Sequence, residues 1–73
     1  MATKKIQERE TPLSEKEKAV LEALSDDLSV KMIAHRLSLS EFTVQDHIKK
    51  IKTKLGAHTA SGIVAHAIRS GMI

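Results

Sequence analysis

The chain has 73 residues, which is enough for one small domain with a limited core. It contains no cysteine, which excludes disulfide bridges and thiolate metal sites, and no apolar run approaches the roughly 18 residues of a membrane span. The net charge of +3 is uneven: residues 1–41 hold seven Lys and Arg against eight Asp and Glu, whereas residues 42–73 hold five against one.

Residues 1–12 mix both charges without an apolar period, which predicts a flexible arm or linker ahead of a folded domain over residues 13–73. This polar start is not a secretory signal, so we expect a cytoplasmic protein with no membrane partner. The domain opens with a capping box between Ser14 and Glu17, preceded by Leu13 as a hydrophobic staple. The first helix then carries its apolar residues on one face: Val20, Leu21 and Leu24.

A short helix, a tight turn and a longer helix follow. Ser29 caps the second helix, which is predicted to end near Leu37, and Ser40 caps the third, which begins at Glu41. Gly56 fits the left-handed position that ends the third helix. The apolar residues of that helix repeat with helical period: Val44, Ile48, Ile51 and Leu55. This arrangement is typical of proteins that place a helix in the major groove of DNA.

The third helix carries four of the five positive charges of the second half of the chain: Lys49, Lys50, Lys52 and Lys54. At about 100° per residue, Asp46, Lys49, Lys50 and Thr53 fall roughly opposite the apolar stripe. Such a cluster attracts a polyanion, although a lysine cluster on a helix is more often only a solvated face.

A fourth helix is predicted from about Ala60 to Ser70, with Gly71 at its end. Its apolar set is Ile63, Val64, Ala67 and Ile68. Because no segment alternates with a period of two, the sequence predicts an all-α domain of four helices with short connections.

A series of residues from Leu13 to Ile73 matches one known pattern in order and without a gap. These residues are Leu13-Ser14, Glu17, Val20-Leu21, Leu24, Leu28-Ser29, Lys31, Ile33-Ala34, Leu37, Leu39-Ser40, Thr43-Val44, His47, Ile51, Lys54-Leu55-Gly56, Val64, Ala67 and Gly71-Met72-Ile73. With them the chain resembles the LuxR-type (GerE-like) helix-turn-helix DNA-binding domain of bacterial transcriptional regulators. The resemblance implies sequence-specific binding of double-stranded DNA, with the third helix in the major groove.

The resemblance also implies roles for individual residues. The positions that read base edges in the family are here Gln45, Asp46 and Lys49. The positions that contact phosphates are here Lys31, Ser40, Thr43, Lys50 and Lys52. The fourth helix often forms a two-fold contact in the family, which implies a homodimer with candidate face residues Ile63, Ala67 and Met72. No cofactor is implied.

Several positions depart from the family pattern. Asp27 stands in place of the usual Gly, Met32 in place of an acid, and Gln45 in place of a Lys. At the start of the fourth helix, Ala60 replaces the usual Arg and Gly62 replaces a Gln or Glu. Two of the replaced charges, at positions 32 and 60, have opposite signs, so losing both is milder than leaving one unpaired.

Each side chain on the reading helix has a matching base. Lys49 suits guanine O6 and N7, Gln45 suits adenine, and Asp46 suits cytosine N4. Asp46 alternatively pairs with Lys49 or Lys50. Phe42, the only aromatic residue, is expected to pack beside the turn, with a thymine methyl contact as the lesser alternative.

Other functions are weaker expectations. The histidines, His35, His47, His58 and His66, include no helical i, i+4 pair, and no paired carboxylates or nucleophile cluster is evident, so neither a metal site nor an enzyme is expected. The main alternative is an interaction module on the same scaffold that contacts another regulator, a regulatory domain or RNA polymerase. A further alternative is region 4 of a sigma factor, but His47 and the run Lys54-Leu55-Gly56 fit the LuxR type better.

Overall fold

A computed structural model describes residues 13–73 of the chain; the predicted arm over residues 1–12 lies outside the described residues. The described part contains four helices, α1 (Glu15–Ser25), α2 (Val30–Leu37), α3 (Glu41–Leu55) and α4 (Ala60–Ser70). Residues 13–73 contain no strand, so the all-α prediction is confirmed. None of these helices combines the length and apolar character that crossing a bilayer requires.

Each helix begins at a hydroxyl side chain that accepts a backbone N–H. Ser14 Oγ accepts from the Glu17 N–H at 3.1 Å, and Glu17 Oε1 accepts from the Ser14 N–H at 2.9 Å, which closes the predicted capping box. The other three caps are Ser29, Ser40 and Thr59. The serine caps and the helix starts next to them are therefore set by residues close in sequence.

The core forms where the apolar faces of the four helices meet. Its largest fully buried side chains are Val20, Leu21, Ile33, Val44, Ile51 and Ile63. Helix α3 packs against each of the other three helices, and it does so with its apolar stripe. The opposite side of α3 is consequently left facing solvent.

Two residues predicted for a dimer face lie in this core instead. Ile63 and Ala67 have 0% of their surface exposed, because this side of α4 packs against α1 and α3. An interface between copies requires accessible atoms, so the assignment of Ile63 and Ala67 to a dimer face is wrong. Met72 follows the end of α4 with 46% of its surface exposed, and its assignment stays a prediction.

Two connections place non-glycine residues in the left-handed region. Asp27, between α1 and α2, has a φ of 64°, and Ser38, in the helix-turn-helix turn, has a φ of 58°. An L side chain is strained at positive φ, and Asp tolerates it better than most residues. A positive φ of this size favours glycine at position 27, which agrees with the glycine that the family resemblance implies there.

Glycine at position 27 should relieve this strain. We expect Asp27→Gly to raise the free energy of unfolding by about 1 kcal/mol, measured by urea denaturation. The control is Lys18→Gly in the exposed interior of α1, which should lower the same free energy by about 1 kcal/mol. If both glycines destabilise the domain equally, the strain at position 27 is negligible.

Candidate nucleic-acid interface

The solvent-facing side of α3 forms a continuous polar surface. Its exposed residues are Phe42, Gln45, Lys49, Lys50 and Thr53, while Asp46 is half-exposed among them. The stripe of Val44, Ile48 and Ile51 is buried on the other side. The fold therefore brings together the three side chains predicted to read bases and holds them outward on a single helix.

Asp46 is paired with one of its neighbouring lysines. Lys50 Nζ lies 3.3 Å from Asp46 Oδ2, one helical turn away, and both side chains are about half exposed. The partner is thus Lys50 rather than Lys49, which leaves Lys49 outside this pair. An exposed pair at this spacing contributes only about 0.3–0.5 kcal/mol, so either partner can exchange the contact for one to DNA.

Lys54 does not belong to the outward surface. Its Nζ lies 2.7 Å from Glu17 Oε1, and the Glu17 side chain is only 5% exposed. This contact ties the last turn of α3 to the first turn of α1. The sequence alone predicts Lys54 as part of the positive cluster, because the partner that neutralises it is 37 residues away in the chain.

The carboxyl group of Glu17 stays ionised in this position. Burial alone would raise its pKa, but the hydrogen bonds from Lys54 and from the Ser14 backbone N–H favour the carboxylate. The positive charge of Lys54 and the neighbouring His47 add to this effect, and the pKa of Glu17 is lower than its ordinary value. Ionised Glu17 therefore stabilises the folded domain.

The lowered pKa gives the stability of the domain a pH dependence. Because the folded-state pKa lies below the ordinary value, the contribution of Glu17 is complete above about pH 4.5 and is lost as the pH falls through the lowered folded value. We expect Glu17→Gln to reduce the free energy of unfolding at pH 7 by about 2 kcal/mol. The difference from the wild type should shrink as the pH falls, measured by thermal denaturation.

Glu15→Gln is the matched control for this experiment, since Glu15 lies exposed in the same first turn. It should keep both the stability at pH 7 and the acid dependence close to those of the wild type. A constant difference between Glu17→Gln and the wild type at every pH would contradict the electrostatic role of Glu17.

The residues predicted to contact phosphates lie around the outward face. Ser40 Oγ accepts from the Thr43 N–H at 3.0 Å and donates to Thr43 Oγ1 at 2.9 Å, so this hydroxyl pair caps α3. Lys31 is exposed in the first turn of α2, and Lys52 is half-buried beside a shallow groove between α3 and the starts of α2 and α4. The predicted phosphate positions therefore come from the first turn of α2, the N-terminal cap of α3 and the later turns of α3.

Phe42 does not lie where its sequence position predicts. It was expected to pack beside the turn, but 78% of its surface is exposed. Phe42 precedes Asp46 by four residues, so the helical period puts both on the outward side. The signal was present in the sequence, since the apolar stripe that includes Val44 leaves no inward position for residue 42.

The chain is similar in sequence to known bacterial regulatory proteins. The model of a family of bacterial regulatory proteins, the luxR family, matches residues 11–67. The chain is 41% identical over 69 residues to the transcriptional regulatory protein YdfI of Bacillus subtilis, covering 94% of this chain and 32% of that protein. It is 35% identical over 68 residues to the transcriptional regulatory protein FixJ of Bradyrhizobium diazoefficiens, covering 93% and 33%.

A shorter relative is matched over most of its length. The chain is 39% identical over 59 residues to the spore germination protein GerE of Bacillus subtilis, covering 81% of this chain and 80% of that protein. By contrast, the chain spans about a third of the length of YdfI and FixJ.

Proposed function

The chain belongs to the luxR family of bacterial regulatory proteins, which are DNA-binding regulators of transcription rather than enzymes, and from this premise we propose a specific mode of binding. In this mode α3 enters the major groove of double-stranded DNA and its outward side chains select the base sequence. The supporting observation is that α3 is buried along one stripe only and holds Gln45, Asp46 and Lys49 together on its free side.

The chemistry of this surface suits a duplex. The width of the major groove admits an α-helix, and α3 presents donors from Lys49 and both a donor and an acceptor from Gln45. Around them we assign the phosphate contacts to Lys31, Ser40, Thr43, Lys50 and Lys52. Phosphate contacts orient the protein on DNA and contribute affinity without depending on the base sequence.

Substitution of two lysines distinguishes phosphate contacts from base contacts experimentally. Lys31→Ala should weaken binding to every duplex alike and lower the slope of log affinity against log salt by about one. Lys49→Ala should instead reduce the preference for a duplex selected from a random-sequence library over unselected duplexes by about 1–3 kcal/mol. Both affinities are measured by fluorescence anisotropy at rising salt.

Lys18→Ala is the charge-matched control, because Lys18 is exposed on α1. It should change neither the salt slope nor the preference. Equal losses of affinity in all three variants would contradict the roles assigned to Lys31 and Lys49. If the wild type binds no duplex at low salt, the interaction module becomes the better explanation.

We further propose that two copies associate through the outer side of α4. Val64 and Ile68 project there beside Leu24 and Leu28, and these four side chains line an open groove between α1 and α4. Ile68 is 59% exposed, and Met72 lies just beyond the end of the helix. A second copy that covers this mostly apolar surface would remove it from water and align two reading helices on one duplex.

A charge in this groove should separate the two copies. We expect Ile68→Lys to shift sedimentation equilibrium toward the monomer while the melting temperature changes little, because Ile68 is not part of the core. Met32→Lys, which charges an exposed apolar residue on α2, should leave association unchanged. A wild type that stays monomeric both free and on a palindromic duplex would remove the dimer from the proposal.

A further inference from the structure

The outward face of α3 is not uniformly basic. Phe42, Asp46 and Lys50 follow one another at intervals of four residues, so they form a single row along the helix. This row lies on the side of α3 away from the buried stripe, with Lys49 and Thr53 next to it. We call it the central row. An aromatic ring and a carboxylate would therefore enter the groove together with the lysines of α3.

Phe42 lacks cover from the protein. Among the exposed large hydrophobic residues of the part of the chain that is described, it has the highest exposed fraction. In the major groove, the apolar group that base pairs present is the 5-methyl group of thymine. An apolar ring held outward in the first turn of a reading helix matches this group, and the contact would shield both from water.

Asp46 is suited to another base edge. An ionised carboxylate only accepts hydrogen bonds, and cytosine offers the N4 amine as a donor without an acceptor beside it on the same base. Adenine places N7, an acceptor, next to its amine, and would repel the carboxylate. Lys50 at 3.3 Å partly offsets the charge of Asp46, which reduces repulsion from the phosphates.

We propose that Phe42 and Asp46 are specificity-determining residues for pyrimidines. Phe42 packs on the 5-methyl group of thymine, and Asp46, its charge partly offset by Lys50, accepts a hydrogen bond from the N4 amine of cytosine. This inference rests on the proposed function, since it requires α3 in the major groove. Four residues of helix advance by about 6 Å, so the two pyrimidines lie within about two base-pair steps.

Selection from a random-sequence duplex library tests the two contacts. The wild-type chain should select a thymine and a cytosine at this spacing. Phe42→Ala should lose the thymine preference alone, and Asp46→Ala the cytosine preference alone. The controls are Ile73→Ala, which removes another exposed apolar side chain, and Glu22→Ala, which removes another exposed acid; both should select the wild-type sequence.

Base analogues then test the thymine methyl group and the cytosine amine individually. Replacing the selected thymine with uracil removes only the methyl group, and the affinity of the wild type should fall about four-fold, while that of Phe42→Ala stays constant. Replacing the selected cytosine with pyrimidin-2-one removes only the amine, and the affinity of the wild type should fall about five-fold or more, while that of Asp46→Ala stays constant.

A second pair of variants rules out an effect of folding. Asp46→Asn should move the preference at its position from cytosine to adenine, because an amide both donates and accepts. Phe42→Leu should retain sensitivity to the thymine methyl group. A loss of folding produces neither result.

The outcomes distinguish a failure of the pyrimidine specificity from a failure of the proposed DNA binding. If Phe42→Ala and Asp46→Ala select the wild-type sequence, or if the analogues weaken wild type and variant equally, the inference is overturned while DNA binding stands. Duplex binding without any selected sequence overturns it as well. Absence of duplex binding at low salt overturns the proposed function itself, and the inference with it.

Discussion

The burial of one narrow stripe on α3 is the constraint on which the rest of the structure depends. Val44, Ile48 and Ile51 lose nearly all contact with water, and every other described helix contributes to covering them. Since each residue advances the helix by about 100°, burying these three also fixes which side chains face outward. A rotation of α3 by one residue would expose the stripe and turn Lys49 toward apolar neighbours, so core packing and surface chemistry cannot vary independently.

The ion pair between Glu17 and Lys54 sets a second limit on α3. The stripe determines how the helix is rotated about its axis, and the pair joins its last turn to the start of α1 at 2.7 Å. The same contact removes a positive charge from the surface, and Lys50 is partly offset by Asp46. The net charge of the second half of the chain therefore overstates how basic the outward face is, since Lys49 is the lysine of that face that belongs to neither pair.

Comparison of prediction and structure shows that short-range features were read correctly. The caps at Ser14, Ser29 and Ser40 depend on residues three positions away, which the sequence displays directly. The errors concern side chains whose exposure depends on how helices distant in sequence pack together. Helix α4 has apolar residues on two adjacent sides, and its period alone does not say which side meets the core, so Ile63 and Ala67 were placed outside. Phe42 was expected beside the turn because it is the second residue of α3, although its phase on that helix directs it away from the buried stripe.

An outward surface that includes an aromatic ring and a carboxylate contributes to affinity and to sequence specificity differently from a uniformly basic surface. In the proposed mode of binding, the lysines attract any duplex, whereas the aromatic ring and the carboxylate gain little from phosphates and depend on the bases they meet. Asp46 would then lower the affinity most for duplexes that lack a donor at its position, which favours discrimination over affinity. If two copies associate through α4 as proposed, the binding of the second domain becomes intramolecular and compensates for a lower affinity of each single domain. The two proposals then support each other, because a DNA-binding surface that gives up affinity for selectivity gains more from association of two copies.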